Sequence, residues 1–439
     1  MSRVEITDKF DSFNEAVEYV FNIPKFTAKN DLETTGEFYE YLGCPGERIK
    51  TVHVAGTNGK GSTCNYLSDI LKGHGYSVGF FSSPHLVSVC ERFRINDVLM
   101  SEAEFVSSLE SVMKKVCEWR HGGRDYHPTF FEILFFMGMI WFEANTPDYI
   151  ILETGLGGRL DATNIVKKPE LTVITRIGLD HTEYLGDTIE QIAGEKAGII
   201  KPGVPLVYWN TNDTTDSVFE KRAAECGAKT LRVGYGDIDN IRQNEKSIDF
   251  CLTYGYDKNG FGRKMQIKLP TVALYQTENA SLALNASHML LGTSLNEKDS
   301  AECLWCSFWE GRMQEIRPGF FVDGAHNRNG TEAFIDTLKD MNVKGATLLF
   351  GANKDKDYAP MIKMLAESGF FTETVVTTLE GTRSQKAEVL RDEFIRCGMM
   401  NVTVTDSVSQ AFEMLYDSGK LIFAAGSLYL VGEIMEETR

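Results

Sequence analysis

The stretch HVAGTNGKGS, His53 to Ser62, stands where a short β-branched run, Thr51 to Ala55, gives way to a segment of helical period. Cys64, Leu67 and Leu71 fall on one face of that segment, and Gly73 stops it. Strand, glycine-rich turn and helix in that order gather backbone N–H groups and a helix N-terminus around one point. Gly56, Gly59 and Gly61 let the backbone close on phosphate oxygens, and Lys60 adds a mobile positive charge. The spacing is not the commonest one for a phosphate loop. Counting back from Gly59-Lys60, the expected first glycine falls on Val54, and Gly61 separates the lysine from Ser62. A tight turn with no ligand is the bland alternative; the strand before it and the helix after it favour phosphate.

Outward from this turn, β-branched runs alternate with helix-period segments, the pattern of βαβ units and a parallel sheet. Ser77 to Phe81, Tyr149 to Leu152 and Leu171 to Thr175 read as further strands, and ligands in such sheets sit beyond the strands' carboxyl ends. From Val204 to Pro270 the pattern weakens to a strand, a helix and a hairpin around Asp257 to Gly262. A helix from about Glu278 to Leu291 precedes the polar run GTSLNEKDS, which divides the chain into domains 1–295 and 296–439. Phe320 to Val322, Ala346 to Phe350, Thr374 to Thr377, Val402 to Val404 and Leu421 to Ala425 then alternate with helices. The expected fold is α/β: a larger parallel-sheet domain and a smaller, Rossmann-like C-terminal one.

Composition narrows the function classes. Among 439 residues, 45 Lys plus Arg against 62 Asp plus Glu give a charge of −17, which argues against nonspecific nucleic-acid or anionic-membrane binding. Any anionic substrate must therefore meet local positive potential. Nine scattered cysteines suit reduced thiols in a cytoplasm, and the close pair Cys303 and Cys306 lacks a second pair to complete a zinc site. The start, MSRVEITDKFDSF, carries no signal-peptide pattern, and the apolar run Phe130 to Phe142 contains Glu132 and is too short to span a bilayer. The expectation is a soluble cytoplasmic protein.

Other strand ends carry candidate chemistry. Glu153 follows the buried run YIIL, where a nucleotide-hydrolysing enzyme holds Mg²⁺ on hard oxygen ligands; alone, it reads equally as a solvated or capping carboxylate. Asp180 and His181 end the next strand, and a lone histidine is more often a hydrogen-bonded core residue. Asp187 as N-cap with Glu190 three residues on opens a helix that places Lys196 on the inward stripe with Ile189, Ile192, Ala193 and Ile200. A buried amine must be paired, neutral or modified; otherwise its stem snorkels outward. Thr129 and Glu132 form a capping box ahead of an apolar helix. DGAHN brings Asp323 and His326 to the edge of the second sheet, and Arg312 reads either as a phosphate clamp in the cleft or as a solvated side chain.

Together these residues resemble the Mur ligase superfamily, and within it the folylpolyglutamate synthase/dihydrofolate synthase family. The likeness rests on GTNGKGS at 56–62, SSPHL at 82–86, ERFRIN at 91–96, ETGLGGRLDATN at 153–164, DHTEYLG at 180–186, EKAGIIK at 195–201, DGAHN at 323–327 and GSLYLVGE at 426–433. One motif would be weak; eight in family order are specific. The resemblance implies a Mur-ligase-like ATPase domain joined to a glutamate-ligase domain. It implies ATP-dependent ligation of L-glutamate to a folate and to dihydropteroate through an acyl phosphate, by a monomer.

By the same resemblance, Gly56, Thr57, Asn58, Gly59, Lys60, Gly61 and Ser62 would hold the triphosphate, with Asn279, Arg312 and Asp323 as further ATP contacts. Ser83, Glu153 and His181 match magnesium ligands, for two ions, and Lys196 matches a carbamylated lysine. His326 lies where the incoming glutamate is oriented. Thr129, Phe130, Phe131, Glu132, Leu160, Asp161 and Ala162 match pteroate contacts. Before the first strand, Asp31-Leu32-Glu33-Thr34 replaces the family's GLER-like stretch. Two rivals remain. A cell-wall Mur ligase needs a UDP-sugar domain for which a first strand at Thr51 leaves no room. A nucleotide-switched regulator would give DGAHN and an inward Lys196 no purpose.

Overall fold

The computed structural model describes residues 6–23, 30–124, 126–256, 260 and 262–438. Lys50–Ala55, buried along all but its first residue, lies at the middle of an eight-stranded sheet. It pairs in parallel with Tyr149–Glu153 on one side and Leu171–Ile174 on the other. Beyond these come Val78–Phe81 on the first side, and Leu206–Trp209 and Thr230–Val233 on the second, all parallel. Runs so uniformly apolar fit a sheet covered on both faces. Lys60–Gly73 and Gln276–Leu291 cover one face and Glu102–His121 and Phe130–Asn145 the other. Phe130–Asn145 is apolar nearly all round because it is buried nearly all round. Among the described residues, no helix is long and apolar enough to cross a membrane.

Several details differ from the sequence reading. The lysine-bearing helix, Ile189–Ala197, is capped one residue later, by Thr188 with Gln191 closing the box, and Ile200 lies beyond its end. Lys196, Ile192 and Ala193 are nevertheless buried. The weak region holds an extra strand, Thr230–Val233, and a three-stranded antiparallel sheet of Ile238–Gln243, Ile248–Tyr254 and Arg263–Leu269. The last two strands form the arms of the expected hairpin; at its tip, residues 257–259 and 261 lie outside the described residues. Phe93–Ile95 and Val98–Leu99 extend the large sheet as an antiparallel hairpin that no periodicity announced. Cys303 packs half-buried near Gly73, and Cys306 is exposed on the same short helix.

The C-terminal lobe is a six-stranded sheet in the order Gln314–Arg317, Phe320–Val322, Ile422–Ala425, Ala346–Phe350, Phe371–Thr377, Val402–Thr405. Only its first strand is antiparallel. The first lobe reaches into this one through residues 82–88. Leu86 packs with Val431, Leu430 and Phe320, and its carbonyl lies against Gly432 of helix Leu428–Glu437. A Cβ at position 432 would stand 2.2 Å from that carbonyl oxygen. Gly432→Ala should therefore destabilise the protein by about 1–3 kcal/mol through overpacking, measurable as a lower urea midpoint. An unchanged midpoint would mean that the loop does not rest on this helix.

Candidate active site

Gly59 opens the helix Lys60–Gly73 with φ +87°, a conformation that favours glycine, and any Cβ there would strike the Asn279 amide. The turn is pinned from several sides. Thr57 Oγ1 donates to the Gly178 carbonyl and accepts from its amide at 3.1 Å, and Thr175 Oγ1 donates to the Asn58 carbonyl at 2.6 Å. Gln276 Nε2 donates to Ser62 Oγ at 3.3 Å, and Asn279 Nδ2 donates to Gln276 Oε1 at 2.8 Å. No side chain caps the helix, so its first amides keep the free, positive end that an anion needs.

Two buried groups flank the turn. Glu153 is 4% exposed, its Oε1 lies 4.0 Å from Lys60 Nζ, and its Oε2 accepts from the Ser83 amide at 3.1 Å. Burial pushes its carboxyl up, against Lys60, the Ser83 amide, Arg312 and Arg92, which pull it down. Lys196 Nζ donates to the Gly56 carbonyl at 2.8 Å. Burial, reinforced by Lys60, lowers that amine to about 7, so near neutral pH much of it is uncharged. The two readings of Lys196 are thus decided for the inward one.

The loop between strand Leu171–Ile174 and helix Thr182–Leu185 ties the lobes together. Asp180 accepts from Lys356 Nζ at 2.8 Å and from Asn327 Nδ2 at 2.9 Å, and His326 Nε2 lies 3.6 Å from its Oδ2. Burial would raise this carboxyl, but His326, Lys356 and His181 together hold it far below the usual carboxylate range. His181 is lowered to about 4, by burial first, and is neutral at physiological pH. Asn58 and Asn327 exchange side-chain hydrogen bonds at 3.2 and 3.0 Å, joining the glycine turn to the residue after His326. The His326 Nδ1 proton faces the Gly324 carbonyl at 2.8 Å, which leaves Nε2 toward the cleft. The sequence reading gave Lys356 and Asn327 no role.

Asp323 is 3% exposed, and its carboxylate accepts from the Met313 and Ala325 amides and the Tyr275 hydroxyl. It thereby shapes the DGAHN turn and anchors it to the first lobe. Arg312 donates to the Gly311 carbonyl at 2.9 Å and lies close to Gly324.

On the other side, Glu132 accepts from Thr129 N at 2.6 Å within the capping box, and from Asn30 Nδ2 at 2.8 Å and Thr35 Oγ1 at 2.5 Å. The capping box is real, and it also tethers the helix capped by Asp31, which begins at Leu32. Asp161 accepts from the Gly155 and Leu156 amides and from Thr163, holding the loop after Glu153 in shape. Leu160 beside it is 48% exposed, whereas Ala162 is buried.

One cavity of about 710 Å³ is lined by most of these groups. The glycine turn, Ser83, Glu153, His181, Lys196 and Asn279 line it from the first lobe, and Arg312, Asp323, His326 and Lys356 from the second. Thr129, Phe130, Phe131, Glu132, Leu160, Asp161 and Ala162 line its remaining wall. Among the described residues, no three His, Cys, Asp or Glu side chains are close enough to hold an ion alone.

Comparison with known proteins agrees with this arrangement. Residues 54–287 match the Mur ligase middle domain and residues 311–428 the Mur ligase glutamate ligase domain. The dihydrofolate synthase/folylpolyglutamate synthase of Escherichia coli K12 is 32% identical over 96% of this chain and 94% of its own length. The Bacillus subtilis protein of the same name is 30% identical over 98% of this chain and 100% of its own. The E. coli FolC structure in complex with DHPP and ADP superposes with a TM-score of 0.83 at 30% identity, covering 97% of each chain. A glycine turn that shares one cavity with DGAHN, in a chain related to these proteins along nearly its whole length, places it in the folylpolyglutamate synthase/dihydrofolate synthase family of Mur ligases.

Proposed function

We propose that this protein ligates L-glutamate to the carboxylate of a folate and of dihydropteroate at the expense of ATP. The observation that carries the reading is the cavity that the glycine turn shares with His326, its two lobes tied by the hydrogen bond from Asn327 to Asn58. A carboxylate is a poor electrophile. Attack of its oxygen on the γ-phosphorus of ATP breaks the bond to the β,γ-bridging oxygen, giving an acyl phosphate and ADP. The glutamate amine, relieved of a proton, then attacks the acyl carbon and expels phosphate, leaving the amide. Holding both partners in one cleft turns an encounter of two dilute reactants into a local event.

In this reading Gly56 to Ser62 hold the triphosphate, with Lys60 on the transferring phosphoryl group and Asn279, Arg312 and Asp323 on the nucleotide side. Asp323, whose oxygens are engaged, acts through the turn that it shapes. Glu153, Ser83 and His181 would hold magnesium, which when bound offsets phosphate charge; a buried carboxylate and a neutral imidazole on one cavity wall suit it. Lys196, as a carbamate, would supply a further anionic oxygen. His326 and Lys356 would meet the glutamate, and the segments around Phe130 and Leu160 the pteroate. The working unit is a monomer of two domains meeting near residue 295.

Paired assays test this proposal. Beyond a first equivalent per enzyme, ADP should accumulate only with glutamate present, and with either dihydropteroate or tetrahydrofolate as acceptor. Turnover of tetrahydrofolate alone restricts the function to polyglutamylation, and continued multiple-turnover ADP release without glutamate, with both acceptors, overturns it.

A further inference from the structure

The motif ERFRIN places Arg92 at the end of a short turn, Val89–Arg92, just before strand Phe93–Ile95. Its side chain is buried; the whole residue is only 6% exposed. Its Nε donates to His85 Nδ1 at 2.8 Å, and the guanidinium stands over the Phe130 ring at 5.6 Å. No described residue accepts the four N–H donors of its two Nη nitrogens. The carboxylates nearby are already engaged. Glu91 accepts from the amides of Leu86, Val87 and Ser88, and Glu153 faces Lys60 and the Ser83 amide. Burial brings Arg92 down to about 10, which leaves it charged at neutral pH. A buried cation with an unfilled fork is costly unless an anion completes it.

The position selects the anion. Arg92 lines the cavity with Phe130, on the wall assigned to the pteroate, with Glu153 at the phosphate edge and with Ser427 and Tyr429 of the second lobe, and it feels the Glu153 and Tyr429 groups electrostatically. An acceptor whose ring lies along Phe130 brings its acid group to this guanidinium on its way to the phosphate. Resting on the function proposed above, we propose that Arg92 receives the acceptor's reacting carboxylate, which is the benzoate of dihydropteroate and a glutamate carboxylate of folate. A planar fork fixes both carboxylate oxygens, which aims one of them at the phosphorus, and its charge offsets repulsion between carboxylate and triphosphate.

The test compares dihydropteroate with its neutral carboxamide as ligands of the ATP-analogue-loaded protein. Wild type should bind the acid at least about tenfold more tightly than the amide, as expected for a charge-assisted pair. R92M, near in volume and without charge, should bind the two alike, leave ATP affinity unchanged and lose turnover with both acceptors. R92K, which keeps charge without the fork, should fall between. Undiminished discrimination in R92M overturns the assignment while leaving the ligase reading intact. So does a loss confined to tetrahydrofolate, which would put a spectator carboxylate on Arg92. If R92M does not fold, R92K decides, and discrimination equal to wild type's overturns the proposal. Failure of wild type to bind or turn over dihydropteroate instead removes the functional reading itself.

Discussion

Lys196→Ala should lower kcat by about a hundred- to a thousandfold, the scale on which removing one charge-stabilising group acts, while the protein stays folded. The amine is held at about 7 because the interior disfavours its charge, so its removal relieves an electrostatic cost rather than breaking an ion pair. Among the described residues its one hydrogen bond is to the Gly56 carbonyl, inside the glycine turn, so the loss should fall on the reaction. If the working form is a carbamate, the reaction with CO₂ needs the free amine. Below pH 7 the amine is mostly protonated, and carbamylation, with the activity depending on it, should decline; above pH 7 it should be favoured. Wild-type enzyme exchanged into CO₂-free buffer should lose turnover and recover it with bicarbonate, whereas the alanine variant should respond to neither. Near-full turnover in Lys196→Ala would remove the residue from the site.

The second large effect belongs to Asp180→Asn. Asp180 and Lys356 are both mostly buried, at 11% and 14% side-chain exposure, and sit 2.8 Å apart across the lobes. Removing one partner of such a pair leaves a charge without compensation and costs about 3–5 kcal/mol. The lobes escape part of that cost by separating. The closed arrangement should then be depleted, and kcat/KM for glutamate should fall about a hundredfold or more. ATP affinity, set by the glycine turn of the first lobe, should change little. A double variant with Lys356→Met should recover part of the loss, because both charges leave together. An unaltered glutamate KM in Asp180→Asn would show that this contact does not govern closure.

What the sequence discloses depends on how far each signal reaches along the chain. The phosphate turn was readable because strand, glycines and helix are contiguous, and Lys196 because helical spacing put it on the buried stripe. Glu153 and His181 stood out as polar residues ending buried strands. The ties across the cleft gave no such sign. Lys356 is 176 residues from Asp180, and within NKDKD it reads as one charge of a solvated run. Asn327 is 269 residues from Asn58, and its partner appears only once the lobes are docked. Arg92 belonged to a recognisable motif, but the Phe130 ring under its guanidinium comes from a separate helix that no local period links to it. The cap at Thr188 instead of Asp187 is a one-residue error between two good capping residues.

The seat of Leu86 against Gly432 bears on how this chain can be recombined. The loop carrying Ser83 belongs to one half by sequence and to the other by packing. A chimera that takes its C-terminal half from a relative must import a residue without a side chain at that helical position. Otherwise the graft fits at the linker and jams at the loop, so these halves are inherited as a matched set.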